Sequence, residues 1–256
     1  MALYKCALVT GASAGFGAAI SRKLADSGYT VIACARRENK LLELASHNKN
    51  IIPLVLDVTD SGKMSEKLGS LNEIKKVDVL INNAGLALGQ DIATECKLNE
   101  WDTMVDTNVR GLLHITHYFL PQFVSHNHGY IINIGSTAGS WPYRGGNVYG
   151  ASKAFVDQFS KNLRVDLAGT AVKVTLIKPG LCGGTEFSEV RFHNDCRKVE
   201  AVYDKTESIS AEDIADTISY LLNTPAHLNI NEMEMMPVCQ TYGGLSVTRS
   251  LDLKEH

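Results

Sequence analysis

The 256-residue sequence has no apolar run long enough to cross a bilayer. The apolar stretch within MALYKCALVTG is too short for a signal peptide and leads directly into a glycine turn. No block of like charges exceeds a few residues and the formal net charge is −3, which argues against the basic surface that nucleic acid or polyphosphate requires. The six cysteines (Cys6, Cys34, Cys96, Cys182, Cys196, Cys239) contain no C-x-x-C and no Cys/His spacing suited to a metal. Several lie in apolar runs, where a free cysteine acts as a small buried hydrophobe. Linkers, repeats and low-complexity tracts are missing too. The expectation is one domain over residues 1–256, soluble and cytoplasmic, with no membrane, nucleic-acid or metal partner.

What is present is an alternation. Short apolar runs at Leu3–Thr10, Tyr29–Ala35, Ile51–Leu56, Val77–Ile81, Tyr130–Ile134, Val172–Ile177 and Asn229–Met235 read as strands. Between them, helical spacing covers Gly17–Ser27, Glu38–Ser46, Ser61–Leu71, Trp101–Val124, Tyr149–Leu167 and Ala211–Leu222. An irregular stretch is expected from Pro179 to about Ser210. Strands that are continuously apolar belong to a parallel sheet covered on both faces. The fold expected is therefore α/β, a Rossmann-type doubly wound parallel sheet with helices on both faces. With 45% apolar residues the chain can bury such a core.

Two stretches bear chemistry. The first turn reads Gly11-Ala-Ser13-Ala-Gly15-Phe16-Gly17, between a strand and a helix. Glycines there allow a tight turn and let a pyrophosphate approach backbone N–H groups at a helix N-terminus. At the end of the second strand stand Arg36 and Arg37, where a carboxylate would select NAD. Two guanidiniums suit a 2′-phosphate, so NADP is the cofactor expected. The second stretch, Gly135 to Lys153, carries Ser136, Tyr149 and Lys153. Of nine tyrosines only Tyr149 has lysine four residues on, one helical turn away on the same face. A nearby ammonium favours phenolate, which would make Tyr149 a usable acid and base for a carbonyl or alcohol oxygen. Ser136 could hydrogen-bond that same oxygen.

Together these residues resemble the short-chain dehydrogenase/reductase superfamily, over Leu3 to Val238. Thr10-Gly11-x3-Gly15-x-Gly17, Asn82-Asn83-Ala84-Gly85, Asn108, Ser136 and Tyr149-x3-Lys153 stand in the family's order. The family usually has Ile where this chain has Phe16. Asn83–Gly89, Ile134–Tyr143 and Gly183–Ser188 look like the NADP-dependent 3-hydroxy acid dehydrogenase branch, whose members act on serine-like and 3-hydroxypropionate-like acids and their semialdehydes. The resemblance implies that Tyr149 is the acid/base, that Lys153 lowers its pKa and binds a ribose, and that Asn108 holds a water in a proton relay. It further implies that Asp57 and Val58 meet the adenine, Asn83 a ribose, and Pro179 to Phe187, including Gly180 and Thr185, the nicotinamide and diphosphate.

Substrate and assembly are expectations of lower rank. A closed pocket needs a cation for a substrate carboxylate, and Arg191, on a glycine-hinged lid, is preferred over Arg144. A reductase of another carbonyl class, or a non-catalytic dinucleotide sensor, stays open at this stage. Leu112, Leu113, Phe119 and Leu120, with Phe155, Phe159 and Leu163, suggest more apolar helix surface than one sheet needs. The family resemblance implies a homotetramer packed through these helices.

Overall fold

The computed structural model describes residues 3–243; residues 1–2 and 244–256 of the expected domain lie outside them. Seven parallel strands form one sheet: β1 (Cys6–Thr10), β2 (Thr30–Ala35), β3 (Ile51–Val55), β4 (Val79–Asn82), β5 (Gly129–Ile134), β6 (Val172–Pro179) and β7 (Glu232–Met235). Their order is β3-β2-β1-β4-β5-β6-β7. Leu8 on β1 is in register with Ile32 on one side and Leu80 on the other. The doubly wound arrangement expected from the sequence is the one observed.

The continuous apolar runs have a simple cause. Adjacent residues of a strand point to opposite faces, and here both faces are covered. Val9, Val31 and Ile132 pack with α1 (Gly15–Asp26), α2 (Glu38–His47) and α9 (Ala211–Leu222). Leu8, Ile32 and Ile131 pack with α3 (Ser61–Gly69), α5 (Leu112–Ser125) and α6 (Asn147–Asp166). Ser210 caps α9 with a capping box to Asp213.

Two expectations need correction. Trp101–Val124 is not one α-helix: α4 (Leu98–Val105) passes through a π-helical turn, Asp106–Gly111, before α5 begins. Such bulges do not disturb apolar periodicity enough to be read from it, and they cluster at functional sites. Pro179–Ser210 is also not wholly irregular, since it holds α7 (Phe187–Arg191) and α8 (Cys196–Tyr203), the latter capped by Asp195. These helices are short, and α8 buries no residue, so they leave little periodic signal.

The helix residues expected to form a surplus apolar face are mostly core. Leu112, Phe119 and Leu163 are buried, while Leu120 and Phe159 pack partly against the core. Leu113 is half-buried, and Phe155, 37% exposed, stacks on Phe159 at 5.8 Å. No helix among the described residues is long and apolar enough to cross a membrane.

Candidate active site

Strand order reverses between β1 and β4, and a crevice opens beyond the carboxyl ends of strands at such a point. Thr10 splices the two strand ends there. Its Oγ1 accepts from the N–H groups of Asn83 (3.0 Å) and Ala84 (2.9 Å) and donates to the Ile81 carbonyl (3.3 Å). Asn83 answers with its side chain, Nδ2 donating to the Thr10 carbonyl at 2.8 Å. A second, longer bond runs from Asn83 Nδ2 to the Gly11 carbonyl at 3.4 Å. The Asn83 amide holds the glycine turn.

That turn needs its glycines. Gly11 has φ +67°, a left-handed conformation, and a Cβ on Gly17 would meet the Gly11 carbonyl and, at 2.7 Å, Asn83 Nδ2. Gly17 itself is buried, so its part is to let α1 approach the turn. Gly11, Ser13, Gly15 and Phe16 line a cleft of about 720 Å³ that also runs past Asp57, Val58, Ala84, Gly85, Pro179, Gly180 and Thr185. The cradle suits the diphosphate and adenosine of a dinucleotide.

At the adenosine end the two arginines differ. Among the described residues Arg36 has only a 3.9 Å ion contact, with Asp57, and it is largely exposed. Arg37 is committed: Nε and Nη2 donate to Ser13 Oγ at 3.2 and 3.0 Å, and Nη1 and Nη2 donate to Glu186 at 3.2 and 2.7 Å. Of the two arginines at the end of β2, Arg37 is thus engaged and Arg36 largely open. Glu186 is distant in sequence, and only the fold brings it across the cleft.

At the other end, Ser136, Tyr149 and Lys153 line the same cleft. Ser136 is extended and its Oγ accepts from the Ala138 N–H at 3.1 Å, which fixes the hydroxyl at the top of β5. Burial pushes the Tyr149 phenol up to about 12, against lesser downward pulls from the Ser136 hydroxyl and the Arg191 charge. Lys153 Nζ stands 6.0 Å from the Tyr149 ring centroid. Its ammonium, buried, donates to the Ile134 carbonyl at 2.8 Å, and burial lowers its own pKa to about 8.

Asn108 sits in the π-helical turn and does not line the cleft; its neighbour Thr107 does. Oδ1 accepts from the Leu86 N–H (2.8 Å), and Nδ2 donates to the Leu86 carbonyl (2.8 Å) and to Ser152 Oγ (3.0 Å). Ser152 in turn donates to the Tyr149 carbonyl at 2.7 Å. The side chain therefore positions the loop after β4 against α6.

The lid candidate is placed where the sequence suggested. Arg191 Nε donates to the Gly89 carbonyl at 3.1 Å and Nη2 to Tyr143 Oη at 2.9 Å. Its guanidinium carbon stands 5.9 Å from the Tyr149 ring centroid, and Nη1 makes no hydrogen bond among the described residues. Arg144 is exposed and lies off the cleft. Sequence reasoning gave no site role to Tyr143 or Trp141, which also line the cleft. Both lay within the Ile134–Tyr143 stretch, but nothing in its spacing announced that Tyr143 would meet Arg191.

A model for the short chain dehydrogenase family matches residues 5–195. The chain belongs to that family. It is 53% identical over 244 residues to the NADP-dependent 3-hydroxy acid dehydrogenase YdfG of Escherichia coli strain K12, which covers 94% of this chain and 98% of the relative. It is 45% identical over 247 residues to sulfoacetaldehyde reductase 2 of Chromohalobacter salexigens, with 94% and 98% covered. Among solved structures, the closed form of serine dehydrogenase complexed with NADP+ superposes with a TM-score of 0.94 at 53% identity, covering 96% of this chain and 100% of that one. The serine dehydrogenase of Escherichia coli gives 0.82 at 48% identity, covering 93% and 100%.

The site generates a direct test. Tyr149→Phe removes a proton and no binding surface, so turnover should fall by about 10²–10⁴-fold or more while cofactor affinity stays nearly constant. Steady-state kinetics with a parallel cofactor titration decides, and a variant with near-normal kcat would remove Tyr149 from the acid/base role.

Proposed function

We propose that this protein is an NADP-dependent dehydrogenase of small 3-hydroxy acids, working in reverse as a reductase of the matching semialdehydes. The observation that carries the reading is Arg191, which stands 5.9 Å from the Tyr149 ring centroid with Nη1 in no hydrogen bond among the described residues. A guanidinium beside the proton-transferring group is what a substrate with one oxygen to react and one carboxylate to hold requires. The likeness to a 3-hydroxy acid dehydrogenase and to a serine dehydrogenase supports the substrate class, and the NADP named for those relatives supports the cofactor.

Each residue then has a task. NADP, when bound, supplies the hydride acceptor, and in the reverse direction its reduced form supplies the hydride. Ser136 and Tyr149 hold the substrate oxygen. In reduction the Tyr149 phenol, kept protonated by burial through neutral pH, donates to that oxygen and becomes phenolate; in oxidation the phenolate takes the substrate's hydroxyl proton. Lys153 lies under the site as a buried ammonium near Gly85 and Asn108. Arg191, from the lid, pairs with the carboxylate as the site closes, linking recognition to exclusion of water.

The sulfoacetaldehyde reductase relative favours one variation on this reading, a sulfonate in place of the carboxylate on the same guanidinium. The presence of Ser136, Tyr149 and Lys153 on one cleft supports turnover over mere nucleotide sensing. A homotetramer in the cytoplasm is part of the proposal. The exposed Phe155, stacked on Phe159, is its support in the structure.

Arg191→Met should raise KM for 3-hydroxy acids by roughly tenfold or more, the loss of a charge-assisted bond, and should barely affect an uncharged aldehyde or ketone of similar size. A panel of both substrate types, assayed with NADP(H) and NAD(H) by cofactor absorbance, tests substrate and cofactor together. Equal damage to charged and uncharged substrates would refute the clamp. Equal affinity for the two cofactors would refute the NADP assignment. Light scattering at micromolar concentration should show a tetramer-sized species, and a monomer alone would refute the assembly.

A further inference from the structure

The lid segment from Thr185 to Arg191 is tied down at both ends. Its far end is pinned to the substrate side, where the Gly89 N–H donates to the Arg191 carbonyl at 2.8 Å and the Arg191 side chain returns a bond to the Gly89 carbonyl. Its near end crosses to the opposite lip of the cofactor cleft. There Glu186 receives both forks of Arg37, whose remaining edge lies on Ser13 in the glycine turn. Thr185 also packs against Gly15 of that turn, close enough that an added Cβ would meet it at 3.1 Å. Glycine turn, β2 end and lid therefore form a closed ring, and Ser13, Arg37 and Glu186 all line the cleft inside it.

We propose that Arg37 and Glu186 form a clasp that closes the lid over bound cofactor and slows its release whether or not a 2′-phosphate is present, and that Arg36 alone reads the 2′-phosphate. The division follows from where the donors point. A 2′-phosphate that took Arg37 would have to displace either Ser13 or a bidentate carboxylate, since both edges of that guanidinium are engaged. Arg36 offers its donors at once, with a single ion contact at 3.9 Å to give up. The fold as a whole superposes best, among the two serine dehydrogenase structures, on the closed form holding NADP+. That likeness fits a clasp that stays shut with cofactor inside.

The inference rests on the NADP reading, and dissociation kinetics separate the two. Stopped-flow fluorescence of NADPH and NADH release, with equilibrium titrations, would be measured on the unmodified protein, Arg36→Ser, Glu186→Gln, Arg37→Met and the Arg37→Met/Glu186→Gln double variant. The clasp is half-exposed, so Glu186→Gln and Arg37→Met should each speed release of both cofactors by about two- to fivefold, and the double variant should add little to either. Arg36→Ser should weaken NADPH by about tenfold or more and leave NADH unchanged. Glu186→Gln is nearly isosteric and keeps the test sound should Arg37→Met misfold. Unchanged release from Glu186→Gln would overturn the clasp. Tighter NADPH binding in that variant would overturn it too, because Glu186 would then be competing with the phosphate. A loss confined to NADPH in Arg37→Met would return Arg37 to phosphate recognition. An unmodified protein that binds NADH as tightly as NADPH would instead refute the cofactor assignment itself.

Discussion

The hydroxyl of Thr10 holds two loops that otherwise have no reason to meet. It takes two backbone N–H groups from the segment after β4 and sits at the end of β1, so the glycine turn and the Asn83-Ala84-Gly85 segment become one surface. Asn83 closes the joint from the other side through the Thr10 carbonyl. Both strands lie side by side at the reversal of strand order, which is why one hydroxyl can reach both. From this joint, α1 is aimed at the cleft by Gly17, and the loop through Leu86 runs on to Asn108 and α6. A buried polar joint of this kind carries a high penalty when half made, so it holds the two sides of the site at one separation.

Burial sets the acid–base character of the site more than charge does. Tyr149 and Lys153 sit together under the substrate end, and loss of water moves each toward its neutral form: the phenol up, the ammonium down. The pair is one of opposed shifts, which leaves a protonated phenol beside a lysine that titrates near neutrality. Arg191 is the exception, because a guanidinium keeps its charge when partly buried. The lid brings this guanidinium to 5.9 Å from the Tyr149 ring centroid.

Much of the fold was legible in the residues. Seven apolar runs became seven strands, and the glycine turn, Ser136 and the Tyr149/Lys153 pair lie where strand ends and helix starts put them. Boundaries failed where local signal was weak or contradicted. The π-helical turn interrupts a pattern that reads as one helix, and α7 and α8 are short helices, α8 with no buried face. The surplus apolar face on α5 and α6 was largely their own core, a fact about packing depth that helical spacing does not contain.

What the sequence by itself determined was the set of reactive groups and their local spacing. A phenol and an amine one turn apart on a helix, or glycines at a strand–helix turn, are consequences of covalent geometry and backbone dihedrals, and these act over a few residues. Tertiary structure alone decided which groups were left with free donors. Arg36 and Arg37 are neighbours of identical chemistry, yet one is held by Ser13 and Glu186 and the other is not. Glu186 lies 149 residues from Arg37, and Gly89 lies 102 from Arg191. Burial and long-range pairing come from the whole sheet closing at once, so the pKa values, the committed side chain of Asn108 and the anchoring of the lid exist only in the folded chain.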